Sequence, residues 1–132
     1  MFLNILNNQE KEIFLELAHH IARSDNDFSN EQKSIIETYC IEMTIEDIEY
    51  NKDLFNLETL LAKVKEKESQ KIILLEIMAL VYSGNYLHIE EKKVINKMID
   101  IFGLNPSLAI VYGEWAKSIL ALSIQGQALI KL

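Results

Sequence analysis

Proline occurs once and glycine four times in the 132 residues, and cysteine and tryptophan once each. So little turn chemistry excludes a fold of many short strands joined by tight turns. The lone cysteine, Cys40, cannot form an internal disulfide, which excludes the small disulfide-stapled scaffolds and points to a reducing cytoplasm. Basic residues are also scarce: 13 Lys and Arg stand against 20 Asp and Glu, a formal charge of -7 at pH 7. Phosphate backbones require a basic face, so nucleic acid is excluded as the main partner. The opening MFLNILNNQEKE lacks the basic start and the apolar length of a secretory signal. No uninterrupted apolar run reaches the roughly 18 residues that indicate a membrane span. These absences predict a cytoplasmic protein without a membrane span.

Helical periodicity is abundant. With 49% hydrophobic residues the chain can bury its own core, and it reads as a single domain over 1–132. Ile13, Phe14, Leu17, Ala18 and Ile21 recur at one, three and four, predicting an amphipathic helix from near Asn8 to near Ser24. Ser29 followed by Gln32 is a capping box opening the next helix, whose apolar face is Ile35, Ile36, Tyr39, Cys40 and Met43. Thr44 is expected to cap a short helix carrying Ile45 and Ile48, and Asn56 another carrying Leu57, Leu60, Leu61 and Val64. In IILLEIMALVY ten of eleven residues are apolar, which suits a helix buried on most sides. Val94, Ile95, Met98, Ile99 and Phe102 form a further stripe, ended by Gly103 as a left-handed cap; Asn105-Pro106 opens the last helix. The fold class is therefore all-α, a compact bundle of about six or seven helices without a sheet.

A repeat underlies this order. Shifted by 59 residues, ARSDNDFSNEQKSII falls over VYSGNYLHIEEKKVI, with Ser24, Asn26, Glu31 and Lys33 meeting identical Ser83, Asn85, Glu90 and Lys92. Two helix–loop–helix units, approximately 9–43 and 68–103, are followed by an apolar helix over approximately 105–130.

The two loops resemble the motif of the TerB-like domains of tellurite-resistance proteins, also found at the membrane-proximal end of certain DnaJ-type co-chaperones. That motif runs small residue, Asp, Gly, acidic, apolar, Ser or Thr, any residue, Glu, Glu, and occurs twice per domain. The first loop matches at Ser24, Asp25, Asp27, Phe28, Ser29 and Glu31, with Asn26 for Gly and Gln32 for the last Glu. The second matches at Ser83, Leu87, Glu90 and Glu91, with Gly84 for Asp and Tyr86 for the acid. Over roughly Glu10 to Leu104 the resemblance implies a helical domain with pseudo-symmetric halves and a loose association with stress and metal-linked processes.

The acidic loop raises the question of a cation. Asp25, Asp27, Ser29 and Glu31 could supply four oxygens, but calcium takes about six or seven, and the EF-hand template fails at Asn30 and Ile36. Turn chemistry accounts for Asp and Asn there, and the helix dipole accounts for Glu31. His19 and His20, adjacent on a helix, point about 100° apart and cannot easily share one ion. His88 reads as a loop histidine, and Cys40, on an apolar face, as an inert buried thiol. No nucleophile–base pair or phosphate loop stands out.

From Leu104 to Leu132 only Glu114, Lys117 and Lys131 are charged, and Leu108, Val111, Tyr112, Trp115, Ile119 and Leu122 form one stripe. A helix so apolar all round is expected to be buried. By default it lies centrally in the fold; alternatively its end lies against a protein partner or a second copy. The expectation is a non-enzymatic TerB-like interaction module without a cofactor, self-associating or partner-binding through the C-terminal helix. The alternative is a cation-responsive protein holding one divalent metal with Asp25, Asp27 and Glu31.

Overall fold

A computed structural model describes residues 1–23, 28–83 and 89–132, with Ile89 and Glu90 described in their backbone only. Among these residues there are six α-helices and no strand: α1 (Asn8–Ala22), α2 (Asn30–Met43), α3 (Leu57–Leu61), α4 (Lys67–Ser83), α5 (Ile89–Phe102) and α6 (Ser107–Ile130), preceded by a single 3-10 turn at Leu3–Ile5. Local capping sets the boundaries. The Ser29 hydroxyl accepts from Gln32 N–H at 3.2 Å while Gln32 Oε1 accepts from Ser29 N–H at 2.8 Å. Asn7 and Glu10 exchange the same pair of bonds, which is why Glu10 is buried yet satisfied. Asn56 caps α3 through Thr59 N–H, and the Asn105 side chain accepts from Ser107 N–H across Pro106.

The repeat is written into the helix bounds. Asn8 to Lys67, Asn30 to Ile89 and Met43 to Phe102 are each separated by 59 residues. The chain reversal after the second helix of each unit is duplicated as well. Thr44 (φ 57°) and Gly103 (φ 64°) are the two described residues with left-handed backbone. Ile45 N–H reaches back to Cys40 carbonyl at 3.2 Å, and Leu104 N–H to Ile99 carbonyl at 3.0 Å. Both are the six-to-one bonds of a Schellman ending, which satisfy carbonyls that the helix leaves open. A lysine ammonium from the first turns of the unit's leading helix also meets the second helix's last carbonyl: Lys11 to Met43 at 3.0 Å, and Lys67 to Phe102. Such a cation complements the negative end of the helix dipole.

Burial follows the periodicity. Phe14, Leu15, Leu17 and Ala18 of α1 meet Ile73, Leu74, Ile77 and Met78 of α4, with Ile36 and Met43 of α2 and Ile95, Met98, Ile99 and Phe102 of α5 closing the core. The expectation for IILLEIMALVY holds: α4 is the hub, touching α1, α5, α6 and the N-terminal turn. The one acid of that apolar run, Glu76, is buried but accepts from Phe2 N–H at 3.2 Å and lies beside the Met1 amine. That pairing anchors the N-terminal turn and offsets the desolvation of a carboxylate.

Two expectations are corrected. The short helix capped by Thr44 does not form; residues 45–50 are irregular and Thr44 ends α2 instead of starting a new helix. A residue spent on a left-handed reversal cannot also take the extended backbone of an N-cap. Ile45, Ile48 and Phe55 still pack on the core, pinning the connector from Thr44 to Asn56. Second, the last helix is not central. Of its 24 residues only Gly113 and Ala116 are buried, because α1, α5 and the N-terminal turn already pack on α4 and leave one outer face for α6.

Candidate functional site

The cation question falls mostly outside the described residues: Asp25 and Asp27 lie in the first loop, and His88 in the second. Glu31 is described and stands exposed in the first turn of α2. Among the described residues no group of three His, Cys, Asp or Glu side chains is gathered as a metal would need.

The two histidines of α1 diverge, as helical geometry requires, and each holds one point of the 44–56 connector. His19, 3% exposed, donates Nε2–H to Asp47 Oδ1 at 2.8 Å, since a carboxylate only accepts. Asp47 in turn accepts from Ile48 N–H at 2.8 Å. His20 Nδ1 lies 2.8 Å from the Tyr50 hydroxyl, and its ring stacks on Phe55 with centroids 3.9 Å apart and planes at 7°. Burial, followed by the nearby Lys52 ammonium, pushes the His20 imidazole below its usual range, so it is a neutral ring at neutral pH. These bonds tie an irregular segment to a regular helix. Their arrangement is a brace.

Beside the brace the surface is concave. One cleft of about 270 Å³ is lined by His20, Ile21, Arg23, Tyr50, Lys52, Glu91 and Val94. A second of about 270 Å³ opens between Arg23, Phe28, Tyr50 and Lys52. The Arg23 guanidinium lies 3.9 Å from the Phe28 ring centroid, and Phe28 rests on His19 at 5.7 Å. Arg23 ends the first unit's leading helix and Glu91 opens the second unit's second helix, so the two units meet at this cleft. None of Arg23, Asp47, Tyr50, Lys52 and Phe55 was singled out by sequence, because His19 and Asp47 stand 28 positions apart with α2 between them, and no period links them. Cys40 is half-buried; burial first, then Asp47 and Glu37, push its thiol up, so it lacks the thiolate character of a nucleophile.

The largest exposed apolar surface is on α6. Its first half seats on α4 where Gly113 leaves room for Tyr82 and Met78: a Cβ there would stand 3.1 Å from the Tyr82 hydroxyl and 3.4 Å from Met78 Cε. Trp115 reaches across to Phe2, with ring centroids 6.1 Å apart. Beyond Leu120 the helix is uncovered except at Gly126, and Leu122, Ile124, Leu129 and Ile130 are 62%, 57%, 68% and 86% exposed. Of the stripe read from sequence, Leu108, Tyr112, Trp115 and Ile119 are half-buried, while Val111 and Leu122 are 58% and 62% exposed. By length and composition alone α6 is also long and apolar enough to cross a membrane. Compared with protein-family models, curated proteins and solved structures, the chain matches none.

Proposed function

We propose that this protein is a cytoplasmic, non-enzymatic interaction module of the TerB-like kind that self-associates through α6, with the loose link to stress, tellurite or metal response that the resemblance implies. The observation that carries the reading is the bare apolar half of α6. Burying a Leu or Ile side chain completely contributes about 1.5–3 kcal/mol. Four such side chains, each more than half exposed, offer about 4–8 kcal/mol per helix, and two copies offer twice that. Association costs about 4–15 kcal/mol in lost freedom, and copies carrying -7 each repel one another.

Protein suits this face better than lipid. The uncharged stretch 118–130 spans 13 residues, about 20 Å of helix, against the ~30 Å of a bilayer core. Extending it to span would draw Glu114 and Lys117 into hydrocarbon and strip Gly113 and Ala116 from α4. The non-enzymatic reading is supported by His19 and His20, whose ring contacts serve the brace. Sedimentation velocity on the pure protein tests the reading: a concentration-dependent shift from monomer to dimer is expected, lost in Leu129→Glu. A wild-type chain that stays monomeric at high micromolar concentration would overturn it.

A further inference from the structure

We infer that the cleft between the end of α1, the connector and α5 binds the phosphate of a small phosphomonoester, with Arg23 and Lys52 as its cations. The inference is independent of self-association, since the cleft and the bare end of α6 share no residue. Both repeat units contribute. Arg23 follows α1, Tyr50 and Lys52 stand on the connector, and Val94 belongs to α5. The two hollows of about 270 Å³ have Arg23, Tyr50 and Lys52 in common. Each falls just below the range that takes drug-sized ligands, which suits a metabolite-sized body on a phosphate. Ile21 and Val94 give that body an apolar wall.

Charge selects an anion. On a chain of net charge -7, an arginine and a lysine converge on one cleft against a single described acid, Glu91. Neither cation is in an ion pair among the described residues. His20, on the same lining, reports the local field: after burial, the Lys52 ammonium is what disfavours its protonation. A phosphomonoester carries about 1.5 to 2 negative charges at pH 7 and so matches two cations better than a carboxylate does. Glu91 opposes a second anionic group, which favours one phosphate over a polyphosphate or a nucleic-acid backbone.

Arg23 is held in place before any ligand arrives. Its guanidinium lies 3.9 Å from the Phe28 ring centroid and 5.4 Å from that of Tyr50, and Nη2 stands 3.5 Å from His19 Nδ1. Nε is enclosed without an acceptor among the described residues, so stacking orients the group. A stacked guanidinium keeps its charge and loses little freedom on binding. Lys52 is exposed and supplies a compact, adjustable charge. The bond from His20 to Tyr50 fixes the connector two residues before it.

Calorimetric titration of the full chain with glycerol 3-phosphate and with inorganic phosphate, in chloride buffer of constant ionic strength, tests the site. Saturable binding of one equivalent is expected, weakened at least about tenfold in Arg23→Gln and in Lys52→Gln. Lys131→Gln removes the same charge outside the cleft and is expected to change nothing. Circular dichroism checks each fold; Lys52 is exposed, so its variant serves even where loss of the Arg23 ring contacts unfolds the chain. Heat that never saturates, or an equal loss in Lys131→Gln, means an adventitious ion only and overturns the site. Flotation with vesicles containing phosphatidic acid, without binding of glycerol 3-phosphate, assigns a lipid headgroup and overturns the soluble ligand. Binding that appears only once Asp25→Asn and Asp27→Asn are introduced overturns it as well, because the loop acids then occupy Arg23 in the native chain.

Discussion

The two chain reversals supply a paired experiment on the repeat. Thr44 and Gly103 hold equivalent positions, 59 residues apart, with φ of 57° and 64°. A left-handed residue with a Cβ costs about 1–2 kcal/mol, and a β-branched one is among the worst placed. Thr44→Gly removes that strain but gives the unfolded chain more freedom, a loss of about 0.5–1 kcal/mol. The Thr44 side chain is exposed, so little packing is forfeited. The net expectation is a gain of about 0.5–1 kcal/mol, which for a chain of this size raises Tm by about 2–5 °C. Gly103→Thr imposes the same strain in reverse: its Cβ meets only Lys67 Nζ, at 3.9 Å, so backbone conformation and not a clash sets the loss, about 0.5–1 kcal/mol once the stiffer unfolded chain is counted. Chemical denaturation at equilibrium, with calorimetry for Tm, reads both. A Thr44→Gly protein no more stable than the parent, beside a harmless Gly103→Thr, would refute the duplicated reversal as the source of strain.

The histidine brace carries a pH signature. Because the folded pKa of His20 lies below its unfolded value of about 6.5, the unfolded chain binds the proton first, and stability falls as pH drops through 6.5 toward the folded pKa. His20→Phe keeps the stack on Phe55 and removes the titration, so its Tm is expected to change less over that window than the parent's; an unchanged slope would remove His20 as the cause. Millimolar calcium, magnesium, manganese or zinc is expected to leave Tm unmoved. Binding at a hundred times Kd would add about 2.7 kcal/mol, and a rise abolished by Asp25→Asn or Asp27→Asn would restore the cation-responsive alternative.

Signals that act within a turn were legible in the sequence. Ser29 with Gln32, Asn56 with Thr59, and Gly103 before Asn105 each act over at most a few residues, so composition and spacing reveal them. Thr44 was misread because a threonine after an apolar stripe serves either end of a helix, and its left-handed backbone is one a β-branched residue rarely takes. The brace was invisible for a different reason. His19 and Asp47, or His20 and Phe55, meet only because the connector folds back on α1, and no period links them.

What the sequence determined by itself is the six helices that form, their order and the 59-residue repeat, though not the absence of a helix after Thr44, because dihedral preferences, caps and apolar periodicity are properties of neighbouring residues. What only the tertiary structure decided is which apolar surface is covered. Periodicity shows that α6 has greasy faces, but burial depends on how many partners α4 can hold. With α1, α5 and the N-terminal turn also against α4, room remained for half of α6, and the other half stands bare.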